Sequence, residues 1–129
     1  MATSSPYNRR RGREANRRGL LGEAEAELWL RQQGWQIIAT RMRNEAGEID
    51  LIARQADTIA FVEVKSRRSV GDGRAALSAA QASRLQAAAE IWIAEQADTL
   101  TDIQHYRFDL IELATNQPPR RIENILGQY

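Results

Sequence analysis

Two segments in the middle of the chain alternate apolar and other side chains with the two-residue period of a β-strand. They are EIDLIA (residues 48–53) and TIAFVEVK (residues 58–65), and only RQAD separates them. Runs of this kind, joined by a short polar turn, predict an antiparallel hairpin. Four charged side chains nevertheless lie inside these strands, at positions that should build a core: Glu48, Asp50, Glu63 and Lys65.

The residues before the hairpin predict a helix followed by a strand. Residues 20–34 are rich in good helix formers and end at a glycine, with Leu21, Ala24 and Leu28 as the predicted apolar stripe. Residues 35–39 predict a first strand, and residues 41–47 a turn that leads into the hairpin.

The residues after the hairpin predict a second helix and a further strand. Residues 77–96 are dominated by Ala, Leu, Gln and Glu, and Ser78 is placed to cap the helix. Residues 106–113 alternate as a strand, which a helical crossover allows to pair in parallel with an earlier one. The order α-β-β-β-α-β predicts an α/β fold with a mixed central sheet flanked by helices.

Composition restricts the chemistry open to this chain. With 129 residues, no cysteine and a single histidine, a thiolate site or a histidine-rich zinc site is not expected. No apolar run is long enough for a membrane span, and the absence of cysteine is compatible with a reducing cytoplasm. One folded domain, residues 19–129, is therefore predicted.

The N-terminal residues 1–18 form a basic segment that we expect to be a disordered tail. They contain six arginines and one glutamate, together with Ser, Pro, Asn and Gly. Such an arm beside a less basic body can hold a polyanion, or it can serve only to keep the protein in solution. The sequence leaves both interpretations open.

Lys65 stands out because the chain otherwise uses arginine for its positive charges. Of eighteen basic residues, seventeen are arginine and one is lysine. An ammonium is a compact, rotatable point charge, whereas a guanidinium is a planar fork. One lysine can survive by chance, but its place in the charged hairpin makes it a candidate for chemistry.

The charged residues of the hairpin admit two interpretations. Strand alternation predicts that Asp50 and Glu63 approach each other, with Lys65 two residues further along the same face. Paired carboxylates repel, and a magnesium or manganese ion that prefers oxygen ligands would relieve that repulsion and activate water beside a phosphate. The alternative is a cross-strand salt bridge on an exposed face, worth about 0.2–1 kcal/mol.

GEIDLIA followed by FVEVKSR, and preceded by GEAEAELWLRQQGW, resembles the YraN-type family of small, endonuclease-like bacterial proteins. Those proteins are similar to archaeal Holliday-junction resolvases and to the wider PD-(D/E)XK nuclease fold. The resemblance implies a restriction-endonuclease-like architecture and an Mg- or Mn-dependent endonuclease acting on DNA, with branched or repair intermediates as candidate substrates. It also makes a homodimer plausible.

The same resemblance implies roles for individual residues. Asp50 and Glu63 would bind the metal, Lys65 would be the catalytic lysine, and Glu23 would match a helical glutamate that completes the metal site. Glu48 would line the phosphate site or support these ligands, with a structural role at the end of the turn as the alternative. Gln81 stands where the family usually carries a lysine. Four arginines are candidate contacts to nucleic acid: Arg41, Arg43, Arg67 and Arg68.

The sequence keeps a second function class open. A non-catalytic nucleic-acid-binding module, or a partner protein in DNA processing, would also use the basic tail and a groove in the fold. Retention of two carboxylates beside a lysine argues against a pure binder of a polyanion. Neither the choice between DNA and RNA nor the preferred substrate structure follows from the sequence.

Overall fold

The computed structural model describes residues 22–67 and 77–126, except for the side chain of Arg67. The predicted tail (residues 1–18) and the candidate contact Arg68 lie outside the described residues. Within these two ranges, neither helix combines the length and apolar content that crossing a bilayer requires.

Five strands and two helices make up the described fold. Helix α1 covers residues 22–32, and helix α2 (Ala79–Glu95) lies between the third and fourth strands. The strands are β1 (Gln36–Asn44), β2 (Gly47–Gln55), β3 (Thr58–Arg67), β4 (His105–Ala114) and β5 (Arg120–Ile122). They form one sheet in chain order, in which β3 and β4 pair in parallel and all other neighbours are antiparallel. The predicted mixed α/β fold is confirmed, with β5 as a short additional edge strand.

Each face of the sheet is covered by one helix. On the α1 side, Ala26 and Leu30 belong to a buried cluster with Leu51, Val62 and Ile111. The α2 side is built around an aromatic group. Phe61 lies edge-on to Trp92 with ring centroids 5.7 Å apart and stacks on Phe108 at 5.1 Å. The central strands are apolar because both of their faces are buried.

The N-terminus of α2 is fixed by a reciprocal cap. The Ser78 hydroxyl accepts the Gln81 N–H at 3.1 Å, and the Gln81 side-chain oxygen accepts the Ser78 N–H at 2.9 Å. These bonds satisfy donors that the first turn of a helix leaves without intrahelical partners. The predicted cap at Ser78 is confirmed.

The predicted apolar stripe of α1 is wrong at Ala24 and Leu28, and its first residue, Leu21, lies outside the described residues. Leu28 is 58% exposed and Ala24 is exposed, whereas Ala26 and Leu30 are buried. The reason is a close approach at the start of the helix, where Gly22 lies against β3. A Cβ at this position would collide with the Ser66 hydroxyl oxygen. The face of the helix that carries Gly22, Ala26 and Leu30 therefore packs on the sheet, and Leu28 points outward.

The predicted turn over residues 41–47 is also wrong. Strand β1 continues to Asn44, and only residues 45–46 connect it to β2. An irregularity between Ile37 and Ala39 shifts the register, and Arg41 adopts a left-handed backbone with φ 51°. Asn44 accepts the Ala46 N–H and donates to the Ala88 carbonyl of α2, which ties this hairpin to the helix.

A buried carboxylate holds the C-terminal edge of the sheet. Asp109 of β4 accepts from Arg121 Nε at 3.1 Å and from the Asn124 N–H at 2.9 Å. Arg107 and Arg121 also lie about 5 Å from the ring centroid of Trp35. Glu123 pairs with both arginines as well, at 3.8 and 3.0 Å, so two carboxylates balance two guanidiniums. The group accounts for the docking of β5 and is a structural network.

Candidate active site

Asp50 lies where β2 and β3 separate. Residues of the two strands pair from Gln55 and Thr58 up to Leu51 and Val62. Beyond that point, the Asp50 carboxylate accepts the Val64 N–H at 2.8 Å. A side chain thus replaces a ladder bond, and the change of geometry moves Ile49 into the cluster on the α2 side. The two-residue alternation of β2 predicts that Ile49 shares a face with Leu51, and this prediction is wrong because the two side chains lie in different core clusters.

The structure brings Asp50 and Glu63 together. Their side chains share a hydrogen bond, and both residues are partly shielded from solvent. Two carboxyl groups can share such a bond only when one of them carries a proton. Strand alternation therefore gave the right neighbours, although the sheet is irregular at this point.

Burial and mutual repulsion perturb both carboxyls. Burial raises the pKa of Glu63 to about 8, with further upward contributions from the Asp50 charge and from their hydrogen bond. Burial also raises the pKa of Asp50, although the bonds from Val64 and Glu63 oppose that rise. The pair consequently retains a proton near neutral pH, where isolated carboxyls are ionised.

Lys65 follows Glu63 on the same strand. Its Nζ lies 3.9 Å from Glu63 Oε1, and both side chains are partly shielded from solvent. This distance is within reach of Coulomb attraction but is too long for a hydrogen bond. The ammonium is therefore close to the carboxyl pair without being locked to it, and it keeps donors for another group.

Glu23 of α1 approaches the pair from the other helix. Burial raises its pKa, and the nearby charge of Asp50 raises it further, while Arg41 lowers it. Arg41 Nε lies 3.6 Å from Glu23 Oε2 and 3.8 Å from Glu48 Oε1. The left-handed backbone of Arg41, uncommon for a residue with a Cβ, occurs where its guanidinium reaches two acidic side chains.

Two of the arginines expected to contact nucleic acid are occupied by carboxylates. Arg41 pairs with Glu23 and Glu48, and Arg43 Nη2 lies 3.1 Å from Glu48 Oε2. Glu48 thus pairs with both arginines of β1 that lie beside the site. The side chain of Arg67 and the whole of Arg68 lie outside the described residues, so the expectations for them stay predictions.

A cavity of about 200 Å³ opens beside Glu63. The sheet contributes Gly47, Glu48 and Glu63 to it. The N-terminal half of α2 and the residue before its cap contribute the rest: Leu77, Gln81, Arg84 and Leu85. Gln81 lines this cavity while its oxygen is used by the helix cap.

Arg84 is the lining residue that sequence reasoning missed. The sequence did contain an indication of its position, because Arg84 follows Gln81 by three residues and therefore lies on the same face of the helix. The capping serine fixes where α2 begins, and hence which residues of its second turn face the hairpin.

The donor chemistry of this site suits a hard divalent cation. Among the described residues, no group of three or more carboxylate or histidine side chains is gathered closely enough to enclose a metal. Magnesium does not need such a cage, because it keeps several waters and takes one or two carboxylates together with substrate phosphates. Asp50 and Glu63 fit this mode, and a cation would replace the shared proton as the charge between them.

Comparison with known proteins assigns the chain to a family. Residues 22–113 match the family described as "Uncharacterised protein family UPF0102". The chain belongs to the UPF0102 family. The UPF0102 match covers every site residue from Glu23 to Arg84, as well as the strand pair that carries Asp50 and Glu63.

Individual UPF0102 proteins are similar over most of their length. The one from Erythrobacter litoralis is 44% identical over 110 residues, which cover 85% of this chain and 92% of the relative. Those from Rhodopseudomonas palustris and Rhizobium etli are 42% and 41% identical over 108 residues each, covering 84% of this chain. They cover 82% and 87% of the respective relatives.

Proposed function

We propose that this protein is a metal-dependent endonuclease that hydrolyses phosphodiester bonds in DNA, built on a restriction-endonuclease-like fold related to that of Holliday-junction resolvases. The observation that carries the proposal is the partly buried, hydrogen-bonded pair Asp50 and Glu63 with Lys65 beside it. Strand ends that only needed polar residues would not hold two partly buried carboxyls against each other, because that arrangement costs stability.

Asp50 and Glu63 would hold Mg²⁺ or Mn²⁺, and Glu23 would contact it through water from α1. When bound, such an ion acidifies its water and neutralises charge on the phosphate. The Val64 N–H fixes the orientation of Asp50, so this carboxylate needs little rearrangement to act as a ligand.

Lys65 has the role of positioning a nucleophilic water and balancing charge on the phosphate. Its ammonium is near Glu63 but not hydrogen-bonded to it, so its donors can turn toward a water or a phosphate oxygen. The chain uses arginine at all seventeen other basic positions. A guanidinium at position 65 would be bulkier and would fix a planar fork where a rotatable point charge is required.

The test is cleavage of DNA by the purified full-length protein with Mg²⁺ or Mn²⁺. Supercoiled plasmid and a branched oligonucleotide serve as substrates. Asp50→Asn and Lys65→Met should each lower the rate by about 100-fold or more, because each removes charge that acts on the reacting phosphate. EDTA should abolish the activity.

Asp102→Asn is the matched control for Asp50→Asn. Asp102 is an exposed carboxylate that pairs with Arg54, and it is not among the residues of the proposed site. This variant should cleave like wild type. Equal trace cleavage by wild type, Asp50→Asn and Lys65→Met would identify a contaminant and refute the proposal. DNA binding without metal-dependent cleavage would instead favour a non-catalytic binding module.

A further inference from the structure

We infer that Arg84 binds a phosphate of the nucleic-acid backbone and so directs the strand into the cavity beside Glu63. This inference rests on the proposed nuclease function and adds to it the residue that holds the substrate. It starts from the location of Arg84, which lines the cavity together with Glu48 and Glu63 and is exposed to solvent.

The backbone fixes Arg84 beside the acidic strand. A Cβ built on Gly47, the residue before Glu48, would lie 3.6 Å from the Arg84 carbonyl oxygen and 3.7 Å from its Cβ. The start of β2 therefore rests directly on this turn of α2. An arginine side chain that leaves the helix at this point can extend over the cavity mouth.

The charges around the site explain why a further cation is needed. Glu23 and Glu48 lie beside the Asp50–Glu63 pair, near the position that a phosphodiester must reach, and their negative charges repel it. Arg41 and Arg43 are already paired with these carboxylates, at distances of 3.1–3.8 Å. Their positive charge is therefore largely balanced within the protein itself.

Arg84 differs from Arg41 and Arg43 because no carboxylate of the described residues pairs with it. In the residues 22–67 and 77–126, no ion pair and no side-chain hydrogen bond is found for it. An unpaired guanidinium offers five donors in a geometry that matches two phosphate oxygens. The chain thus places a guanidinium that has no acidic partner in the described residues on the wall of the cavity beside Glu63, on a capped helix.

The test measures the salt dependence of DNA binding. A fluorescein-labelled branched DNA oligonucleotide is titrated with the full-length protein in Ca²⁺ buffer at several salt concentrations, and affinity is read from anisotropy. Each phosphate contact contributes about one unit to the slope of log affinity against log salt. We expect Arg84→Gln to lower the slope by about 1 and Arg84→Lys to retain most of it.

Arg31→Gln is the control. Arg31 lies on α1, on the opposite face of the sheet, where it pairs with Glu27 at 2.8 Å. This variant should keep the wild-type slope. In cleavage assays with Mn²⁺, Arg84→Gln should raise KM by about 10-fold and leave kcat within a few-fold, because it removes binding that is equal in the ground and transition states.

The outcomes separate this inference from the proposed function. If wild type cleaves DNA but Arg84→Gln keeps the wild-type slope and KM, the role of Arg84 is wrong and the nuclease proposal stands. If wild type binds but never cleaves, a slope change confined to Arg84→Gln supports the phosphate contact alone. An equal loss of slope in Arg31→Gln, or no DNA binding by wild type, overturns the inference.

Discussion

At the scale of single residues, the Asp50–Glu63 pair carries the main energetic cost of the site. A carboxyl whose pKa is raised in the folded state binds more protons there than in the unfolded chain. The folded protein consequently loses stability as these protons leave. Proteins accept such a cost at sites where a ligand later supplies the missing charge, which is why perturbed carboxyls mark candidate active sites.

Glu63→Gln tests this cost directly. The pKa of Glu63 is raised from 4.5 to about 8, so its contribution to stability is fully present below pH 4.5 and is lost as the pH rises through about 8. In EDTA, we expect the free energy of unfolding to fall over this range in wild type and to vary less in Glu63→Gln. One pKa unit corresponds to about 1.4 kcal/mol, which urea unfolding at a series of pH values resolves.

The control for this series is Glu27→Gln. Glu27 is a partly exposed carboxylate on α1 that pairs with Arg31. This variant should keep the wild-type dependence on pH. The contradicting outcome is a free energy of unfolding that depends on pH in Glu63→Gln just as it does in wild type. It would show that the pKa of Glu63 is not raised in the folded protein.

At the scale of elements, the contact between α1 and β3 brings Glu23 to the site. Gly22 starts the described part of the helix and lies against Ser66, the residue after Lys65. The closeness of these two elements therefore depends on a residue without a side chain. Glu23 and Lys65, the neighbours of the two contacting residues, are held near the carboxyl pair as a result.

Gly22→Ala sets two effects against each other. Alanine is preferred over glycine in a helix by up to about 1 kcal/mol, but its methyl group would collide with the Ser66 hydroxyl. We expect Gly22→Ala to destabilise the wild-type background and to be neutral or stabilising in Ser66→Ala, where the colliding oxygen is absent. A double-mutant cycle by urea unfolding measures this coupling. Additive effects would show that the helix does not approach β3 as described.

The elements also show what the sequence could predict and what it could not. Alternation in residues 48–53 and 58–65 identified the hairpin and brought Asp50, Glu63 and Lys65 to one place. It failed for Ile49, because the Asp50 carboxylate replaces a backbone partner and changes the geometry of β2 at that point. The alternation of apolar and polar residues does not show where a side chain replaces a backbone carbonyl as the hydrogen-bond acceptor of a neighbouring strand.

Two other predictions were wrong, the turn over residues 41–47 and the apolar stripe of α1, and both errors have local causes. Strand β1 continues through Arg41 in a left-handed conformation, which residue propensity would assign to a turn. The stripe of α1 was misplaced because Gly22, Ala26 and Leu30 face the sheet at four-residue spacing, whereas the prediction placed Ala24 and Leu28 there. Arg84 was missed because the helix face that carries Gln81 was not followed to the next turn of α2. Its charge was no guide, since the sequence does not show which arginines have an acidic partner.

At the scale of the whole molecule, the residues that stabilise the fold are separate from those of the proposed site. Each helix packs on one face of the sheet, and the buried network at Asp109 holds the C-terminal edge. The proposed site lies where β2 and β3 separate, between Glu23 of α1 and the cavity beside α2. Residues from both helices can therefore reach one position without disturbing either core cluster.

The most direct test of the central claim is calorimetric titration of the metal-free protein with Mn²⁺. We expect one ion to bind per chain in wild type and in Asp102→Asn, and binding to be lost in both Asp50→Asn and Glu63→Gln, because two carboxylates hold the ion. Absence of binding to wild type, or unchanged binding in both site variants, would contradict the claim that Asp50 and Glu63 form a metal site.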